Sequence, residues 1–355
     1  MLKQTTAYCY PEFTAERISF MLCDLDDATV LCKEVIMKKY APIDTSKVKT
    51  YAIETRNNKV NVDEHFGQPV KSGMSCFDLL GAMPKLLGAD SLRAVAEKIV
   101  AARRKDRPVV LAMGGHVIKC GLQPTLRALI DADVITAVAM NGSASIHDFE
   151  VSLVGATSEE VGDVLHSGDF GFSDETGAGM NRAIKAGLDR GIGFAQAIGE
   201  WIIANEHPFK EYSLLATCVE KGLPVTAHVA MGTDIIHQHP EMDGAVTGEM
   251  TIRDFRLITS VVADLGNGGV WLNVGSAVIM PEVFLKALSI AQNLGYHVDH
   301  FTTANFDMNQ HYRPMQNVIK RPTSGSGRGY SIVGHHEINI PLLAAAILDN
   351  IGKGA

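Results

Sequence analysis

The chain of 355 residues has no Cys-x-x-Cys pair, no apolar run long enough to span a bilayer and no excess of basic residues. Each absence removes a class of function. Six scattered cysteines (Cys9, Cys23, Cys32, Cys76, Cys120, Cys218) read as isolated buried thiols rather than a disulfide framework or a thiolate zinc site. The opening residues 1–7 carry no apolar signal region, so the cytoplasm is the default compartment and no membrane partner is expected. A formal net charge of -8 argues against nucleic acid and anionic membranes, both of which attract basic surfaces. There is no internal repeat. With 46% hydrophobic and 20% charged residues, the sequence predicts a folded globular protein with a large core.

The most informative stretch joins two Gly-rich turns. Val109–Met113 reads as a short apolar strand that stops on Gly114-Gly115-His116, with Lys119 in the same turn and a helix near Leu122–Ala132. Val134–Met140 reads as a second strand, stopping on Asn141-Gly142-Ser143 before a helix near His147–Val154. A strand that feeds a helix N-terminus leaves backbone N–H groups converging on one spot, which attracts anions. Two such turns one βα unit apart suggest a crevice for a dinucleotide or phosphorylated ligand, while ordinary βα connections need glycine for geometry alone. Asp148 or Glu150 would accept ribose hydroxyls, or serve as first-turn helix acids. Further strands are expected at Ser213–Thr217 or Pro224–His228, at Gly269–Val274 and near His297–Ala304. Alternating strands and helices predict an α/β fold with a parallel, Rossmann-like sheet and helices on both faces. Residues 72–105 carry a helical apolar stripe ending in Arg103-Arg104-Lys105, which suits a helix C-terminus. Residues 1–70 read as an N-terminal arm and 71–355 as one domain. Residues 168–179 and 322–329 read as Gly/Ser-rich loops. The second, with Arg321 and Arg328, is either a lid that clamps an anionic group or a solvated surface loop.

The order of motifs from residue 108 to 350 resembles the deoxyhypusine synthase-like family. The residues that carry it are the Gly-x-x-x-x-x-Gly-Leu turn ending at Leu122, the Ala-x-x-His-Asp-x-Glu-x-x-x-x-Gly run from Ala144, and Asp234-Ile235-Ile236-His237. Ile252–Ile258, Thr302–Asp307, Arg313-Pro314 and Ile338–Leu343 continue it. The resemblance implies a Rossmann-like homotetramer using NAD to take a hydride from an amine. It implies NAD contacts at Gly114, Gly115, His116, Asn141, Gly142, Ser143, Asp148, Thr303, Ala304 and Glu337. It implies His237 as the catalytic histidine, with Asp234 beside it, and substrate contacts at Gly275, Ser276 and Asp307; Arg328 would contact substrate on the lid reading of residues 322–329.

The chain departs from the family where the imine-forming lysine belongs. Residues 271–280 contain no lysine, and Ile279 or Met280 takes its place; Lys119 and Lys286 are the nearest alternatives. Asn305 stands for an expected acid, and the aromatic that should follow Arg313-Pro314 is missing near Val318 and Ile319. A polycation would lose its counter-charge and cation–π platform. The expectation is therefore an NAD-dependent transferase or oxidoreductase acting on an amine or amino acid, not true deoxyhypusine synthesis. The alternatives are an ornithine cyclodeaminase-like NAD enzyme and a non-catalytic NAD-binding protein. His228, Asp234, His237 and His239, followed by Glu241 and Asp243, leave a divalent-metal hydrolase as a further alternative, although no resident metal is expected.

Overall fold

The structure, a computed structural model, describes residues 42–352 together with Tyr40 and two short segments, Ile18–Ser19 and Glu34–Val35, which pair antiparallel. Cys9, Cys23, Cys32 and most of the expected N-terminal arm lie outside the described residues. The chain divides into two compact units, Met1–Lys59 and Val60–Ala355. In the first, the described residues 42–59 are exposed and include one 3-10 turn, Ile53–Thr55.

The second unit is built on a six-stranded, wholly parallel sheet. Its strands are β1 (Val109–Met113), β2 (Ala137–Asn141), β3 (Val225–His228), β4 (Val270–Val274), β5 (Thr302–Asp307) and β6 (Arg328–Val333). The spatial order is β3-β2-β1-β4-β5-β6. This is the doubly wound order of dinucleotide-binding folds: the chain winds outward from β1, then returns to lay β4 on its other side. The α/β parallel architecture expected from the sequence is the one observed.

Alternate strand residues feed two cores, as the two-residue period of a strand requires. Leu111 and Met113 join one apolar cluster with helices α1 (Leu87–Arg104), α2 (Gln123–Asp131) and α3 (Gly142–Val154). Val110 and Ala112 join the other, with α7 (Gly244–Ala263) and α8 (Ile279–Asn293). In that second core Trp271 of β4 stacks on Phe284 of α8, with ring centroids 4.4 Å apart. The first core continues into α4 (Asp174–Gly187), α5 (Phe194–Ala204) and α6 (Leu214–Lys221), and the last described helix is α9 (His336–Gly352).

Several boundaries move. Ser213–Thr217, offered as a strand, opens α6: Ser213 caps it by accepting from the Ala216 amide. The Gly-rich stretch 168–179 is a loop only to Ser173, after which α4 begins. The strand expected to end at Ala304 runs on to Asp307, so Thr303 and Ala304 are buried in mid-strand rather than at its open end. Of the described cysteines only Cys218 is buried; Cys120 is half-buried and Cys76 exposed.

Asp254 of α7 ties these parts together. Its carboxyl accepts from the amides of Ala227 on β3 (2.7 Å) and Ala195 at the start of α5 (2.9 Å). Burial pushes it up to about 7 despite those bonds. A side chain at Gly193 would begin 1.6 Å from its Oδ1, so only glycine fits there.

Candidate functional site

The C-terminal ends of β1 to β6 open on one edge of the sheet, and the winding reverses between β1 and β4. There the two turns touch: the Gly114 amide donates to the Val274 carbonyl at 3.0 Å. A Cβ on Gly114 would lie 2.1 Å from the Gly275 carbonyl oxygen. Gly275 sits at φ 63°, and a Cβ there would meet His336 Nε2 at 2.8 Å. Glycine at these positions lets two backbone turns pack together. A cavity flanks the joint on either side.

The first cavity, about 390 Å³, lies over the β1–β3 half and is lined by Lys119, Ser143, His147, Glu150, Phe170 and Asp234 among others. Three elements bring its polar groups together. Asn141 caps α3 through its Oδ1, which accepts from the Ala144 amide at 2.9 Å. That cap starts the helix at Gly142, and its i, i+3 spacing puts His147 and Glu150 on one face. The turn after β1 contributes Gly115, where a Cβ would meet Ser143 Oγ at 2.1 Å and His147 Cδ2 at 3.0 Å. The loop after β3 swings Asp234 over the start of α3, where a Cβ on Gly142 would lie 1.9 Å from Asp234 Oδ2. That oxygen is buried and has no hydrogen-bond partner among the described residues. Burial pushes the Asp234 carboxyl up to about 6, partly offset by His147.

His147 is held by a short relay. Thr157 Oγ1 donates to Glu150 Oε2 at 2.5 Å and lies 2.7 Å from His147 Nδ1. Burial alone would raise the Glu150 carboxyl, but His147, Thr157 and Thr176 hold it below the ordinary carboxylate range. Glu150 is thus a carboxylate and can only accept. The single hydroxyl proton of Thr157 goes to Glu150, so His147 Nδ1 must donate to Thr157. In the neutral ring the lone pair is therefore on Nε2, where it can act as a base.

The second cavity, about 260 Å³, lies over the β4–β6 half and is lined by His116, Gly275, Asp307, Gly334, His336 and Glu337 among others. His336 is buried, which holds its imidazole below the ordinary range, and its Nδ1 has no partner among the described residues. The Glu337 carboxylate is held low by its own backbone amide and by Cys120 and the neighbouring histidines.

The structure thus gathers Gly115, Ser143 and Asp234 at the first cavity, with Gly142 beneath Asp234. His116, Gly275, Asp307 and Glu337 come together at the second. The other candidates sit elsewhere. His237 Nδ1 accepts from the Gly232 and Asp234 amides, each at 3.2 Å, so its ring folds the loop that carries Asp234; it does not line the first cavity. Burial lowers its pKa, and its Nε2 has no partner among the described residues. Asp148 is fully buried and caps α6, accepting from Ser213 Oγ at 2.5 Å and the Leu214 amide at 2.8 Å. Its carboxyl, pushed up to about 6 by burial, faces protein donors rather than a ligand. Ser276 Oγ accepts from the Met280 amide at the start of α8. Thr303 Oγ1 donates to the Val318 carbonyl.

Arg328 opens β6, at the opposite edge of the sheet from both cavities, and stacks over Tyr330 at 5.2 Å. The proposed lid 322–329 is on that far edge with it, because it leads into the N-terminal end of a parallel strand. The histidine cluster also disperses. His228 ends β3 beside Thr226 Oγ1 and is held down to about 3 by burial. His239 faces Asp174, Glu241 pairs with Arg182, and Asp243 caps α7. Among the described residues no three His, Cys, Asp or Glu side chains are placed to hold a metal ion. Lys286 pairs with Glu282 on α8, whereas Lys119 lines the first cavity.

No family model matches the chain, and no curated protein matches it. Solved structures do. One is ArgZ, an arginine dihydrolase from the ornithine–ammonia cycle in cyanobacteria, with 15% identity and a TM-score of 0.48, covering 73% of this chain and 33% of ArgZ. A LOR/SDH protein from Methanococcus maripaludis S2 aligns with 13% identity and a TM-score of 0.44, over 80% of this chain and 73% of that one. A protein assigned as a deoxyhypusine synthase from Entamoeba histolytica aligns with 11% identity and a TM-score of 0.45, over 80% of this chain and 96% of that one. The chain thus spans about a third of the length of ArgZ and most of the other two.

Proposed function

We propose that the chain is an NAD-dependent enzyme that transiently oxidises the nitrogen-bearing carbon of an amine or amino acid. The observation that carries this reading is the meeting of Asp234, His147 and Lys119 in one cavity beside the switch point of a doubly wound sheet. The residues fit a dinucleotide: two cavities straddle the Gly114–Gly275 joint, one over each half of the sheet, and each is bordered by a buried polar atom with no partner among the described residues. Gly115, His116, Ser143, Gly275 and Glu337 would hold NAD. Bound there, NAD supplies a hydride acceptor that no side chain can provide.

The remaining chemistry belongs to the chain. Lys119 is the cation of the first cavity and would take a substrate carboxylate, while Asp234 would take the ammonium group. Asp234, Glu150 and Glu159 outnumber Lys119 along its walls, which favours a cationic substrate. His147 Nε2 would remove the ammonium proton, leaving the nitrogen lone pair free to expel hydride from the adjacent carbon. No lysine stands at Ile279 or Met280, so the oxidised substrate carbon would not be captured there as an imine with an enzyme nitrogen. An ornithine cyclodeaminase-like reaction is consistent with the absence of that lysine. Homotetrameric assembly belongs to the same proposal.

Calorimetric titration tests it. NAD should bind with micromolar affinity, and NAD-saturated protein should bind at least one of L-ornithine, L-lysine or L-arginine. Asp234→Asn should weaken the amino acid tenfold or more and leave NAD affinity unchanged. Binding of neither NAD nor any of these amino acids would exclude the proposal.

A further inference from the structure

Residues 155–173 supply Ser158, Glu159, Val161, Phe170, Gly171 and Ser173 to the lining of the first cavity. Among the described residues, little beyond the Thr157 bonds to Glu150 and His147 holds this segment down. Apart from Thr157, Val164, Phe170 and Gly171 its residues are exposed, including the apolar side chains of Val161, Leu165 and Phe172. Gly155, Gly168 and Gly171 all have positive φ, at 68°, 82° and 79°, so the chain turns where side chains would resist. The latch is one bond to the neighbouring loop, Gln238 Nε2 to the Phe170 carbonyl at 2.7 Å, beside the close packing of Gly171 on Ile235. A segment with so few buried contacts opens at low cost.

The same segment carries Thr157, the middle member of the relay that fixes His147. We infer that residues 155–173 are a gate whose closure assembles the base: Thr157 is a positioning residue that sets the His147 tautomer only when the segment lies over the cavity. Closed, the Thr157 hydroxyl accepts from Nδ1 and donates to Glu150, leaving the lone pair of the neutral ring on Nε2. Open, Thr157 leaves Glu150, and the ring returns to the Nε2–H form that free imidazole side chains favour, which cannot accept a proton at that atom. Entry of substrate and activation of the base are thereby coupled through one hydroxyl.

This inference rests on His147 being the base of the proposed reaction, but its test needs no substrate or NAD. Protein labelled with 15N in the histidine rings reports the protonated nitrogen directly, and His147→Gln identifies the signal by its loss. The wild type should show a predominant Nδ1–H tautomer at His147 at neutral pH. Thr157→Val, which keeps the shape and loses the hydroxyl, should shift it to a mostly Nε2–H form. Thr157→Ser should restore the wild-type pattern, which a merely structural effect of the substitution would not predict. Gln238→Ala, which unlatches the segment and leaves the relay residues intact, should give a mixture. A wild-type tautomer in Thr157→Val, or an Nε2–H tautomer in the wild type, would overturn the inference. Failure of amino-acid binding would instead sink the reaction and leave the tautomer shift standing.

Discussion

Two glycine-to-alanine substitutions should separate the fold from the site. At Gly114 the added methyl would lie 2.1 Å from the Gly275 carbonyl oxygen and 2.9 Å from its carbon. The Gly114 backbone is extended, at φ -101°, so alanine adopts it freely and the whole cost is steric. Both colliding atoms are backbone in a turn pinned by the Gly114–Val274 and Gly275–Phe306 hydrogen bonds, and neither can rotate away. Overpacking of this kind costs about 3 kcal/mol, roughly two powers of ten in the folding equilibrium. At Gly142 the methyl would lie 1.9 Å from Asp234 Oδ2 and 2.7 Å from Cγ, a side chain on a loop that can turn aside. The clash is relieved by moving Asp234, and alanine at a helical position recovers part of the loss. Gly142→Ala should therefore stay within about 1 kcal/mol of wild type and lose amino-acid affinity tenfold or more. Urea unfolding gives the stabilities and calorimetry the affinities. Equal destabilisation of the two variants, or a Gly142→Ala protein that binds amino acids normally, would refute the placement of Asp234 over α3.

Further outcomes follow from individual groups. Asp148→Ala should cost about 3 kcal/mol by leaving Ser213 and the α6 amides unpaired, while NAD affinity of the folded protein is unchanged; a selective loss of NAD affinity would restore a cofactor role to Asp148. Asp254 keeps its proton to about pH 7 in the folded protein, against an ordinary carboxylate value of 3.8. The folded state thus binds the extra proton between those limits, and stability falls as pH rises through them. Asp254→Asn should flatten that slope in urea midpoints measured from pH 4 to 7, and an unchanged slope would contradict the assignment. Asp234 ionises near pH 6, so amino-acid affinity should strengthen as pH rises through 6 and become pH-independent there in Asp234→Asn. Arg328→Ala should leave all ligand affinities unchanged and cost about 0.5–1 kcal/mol from its contact with Tyr330; a loss of binding would bring the far-edge loop back to the site.

The sequence made the centre of the sheet legible and its margins obscure, for physical reasons. Val109–Met113 stands out because five consecutive residues are buried on both faces. Strand β6 does not, because it is an edge strand with an exposed Arg328 and Val333, and Arg-Gly-Tyr-Ser reads as loop. The Gly-rich turns were visible, yet Gly114 serves a neighbouring backbone rather than an open cradle, a fact set by a strand more than a hundred residues away. His147 lies inside a motif that assigns it no role, whereas the same resemblance assigns one to His237. Helix geometry resolves the difference: His147 and Glu150 share a face, and Asp148, about 100° around the helix, turns into α6. Thr157, which gives His147 its meaning, sits ten residues on in a glycine-rich segment that offers no periodic signal.

In the proposed reaction Asp234 and His147 prepare an amine for hydride loss to NAD. Rapid mixing of NAD-saturated protein with L-ornithine, L-lysine and L-arginine, followed by the absorbance of reduced nicotinamide, tests it most directly. A transient rise and decay is expected with at least one of these amino acids, abolished in both His147→Gln and Asp234→Asn. Bound NAD with a flat trace for every amino acid, or a transient that survives His147→Gln, would contradict it.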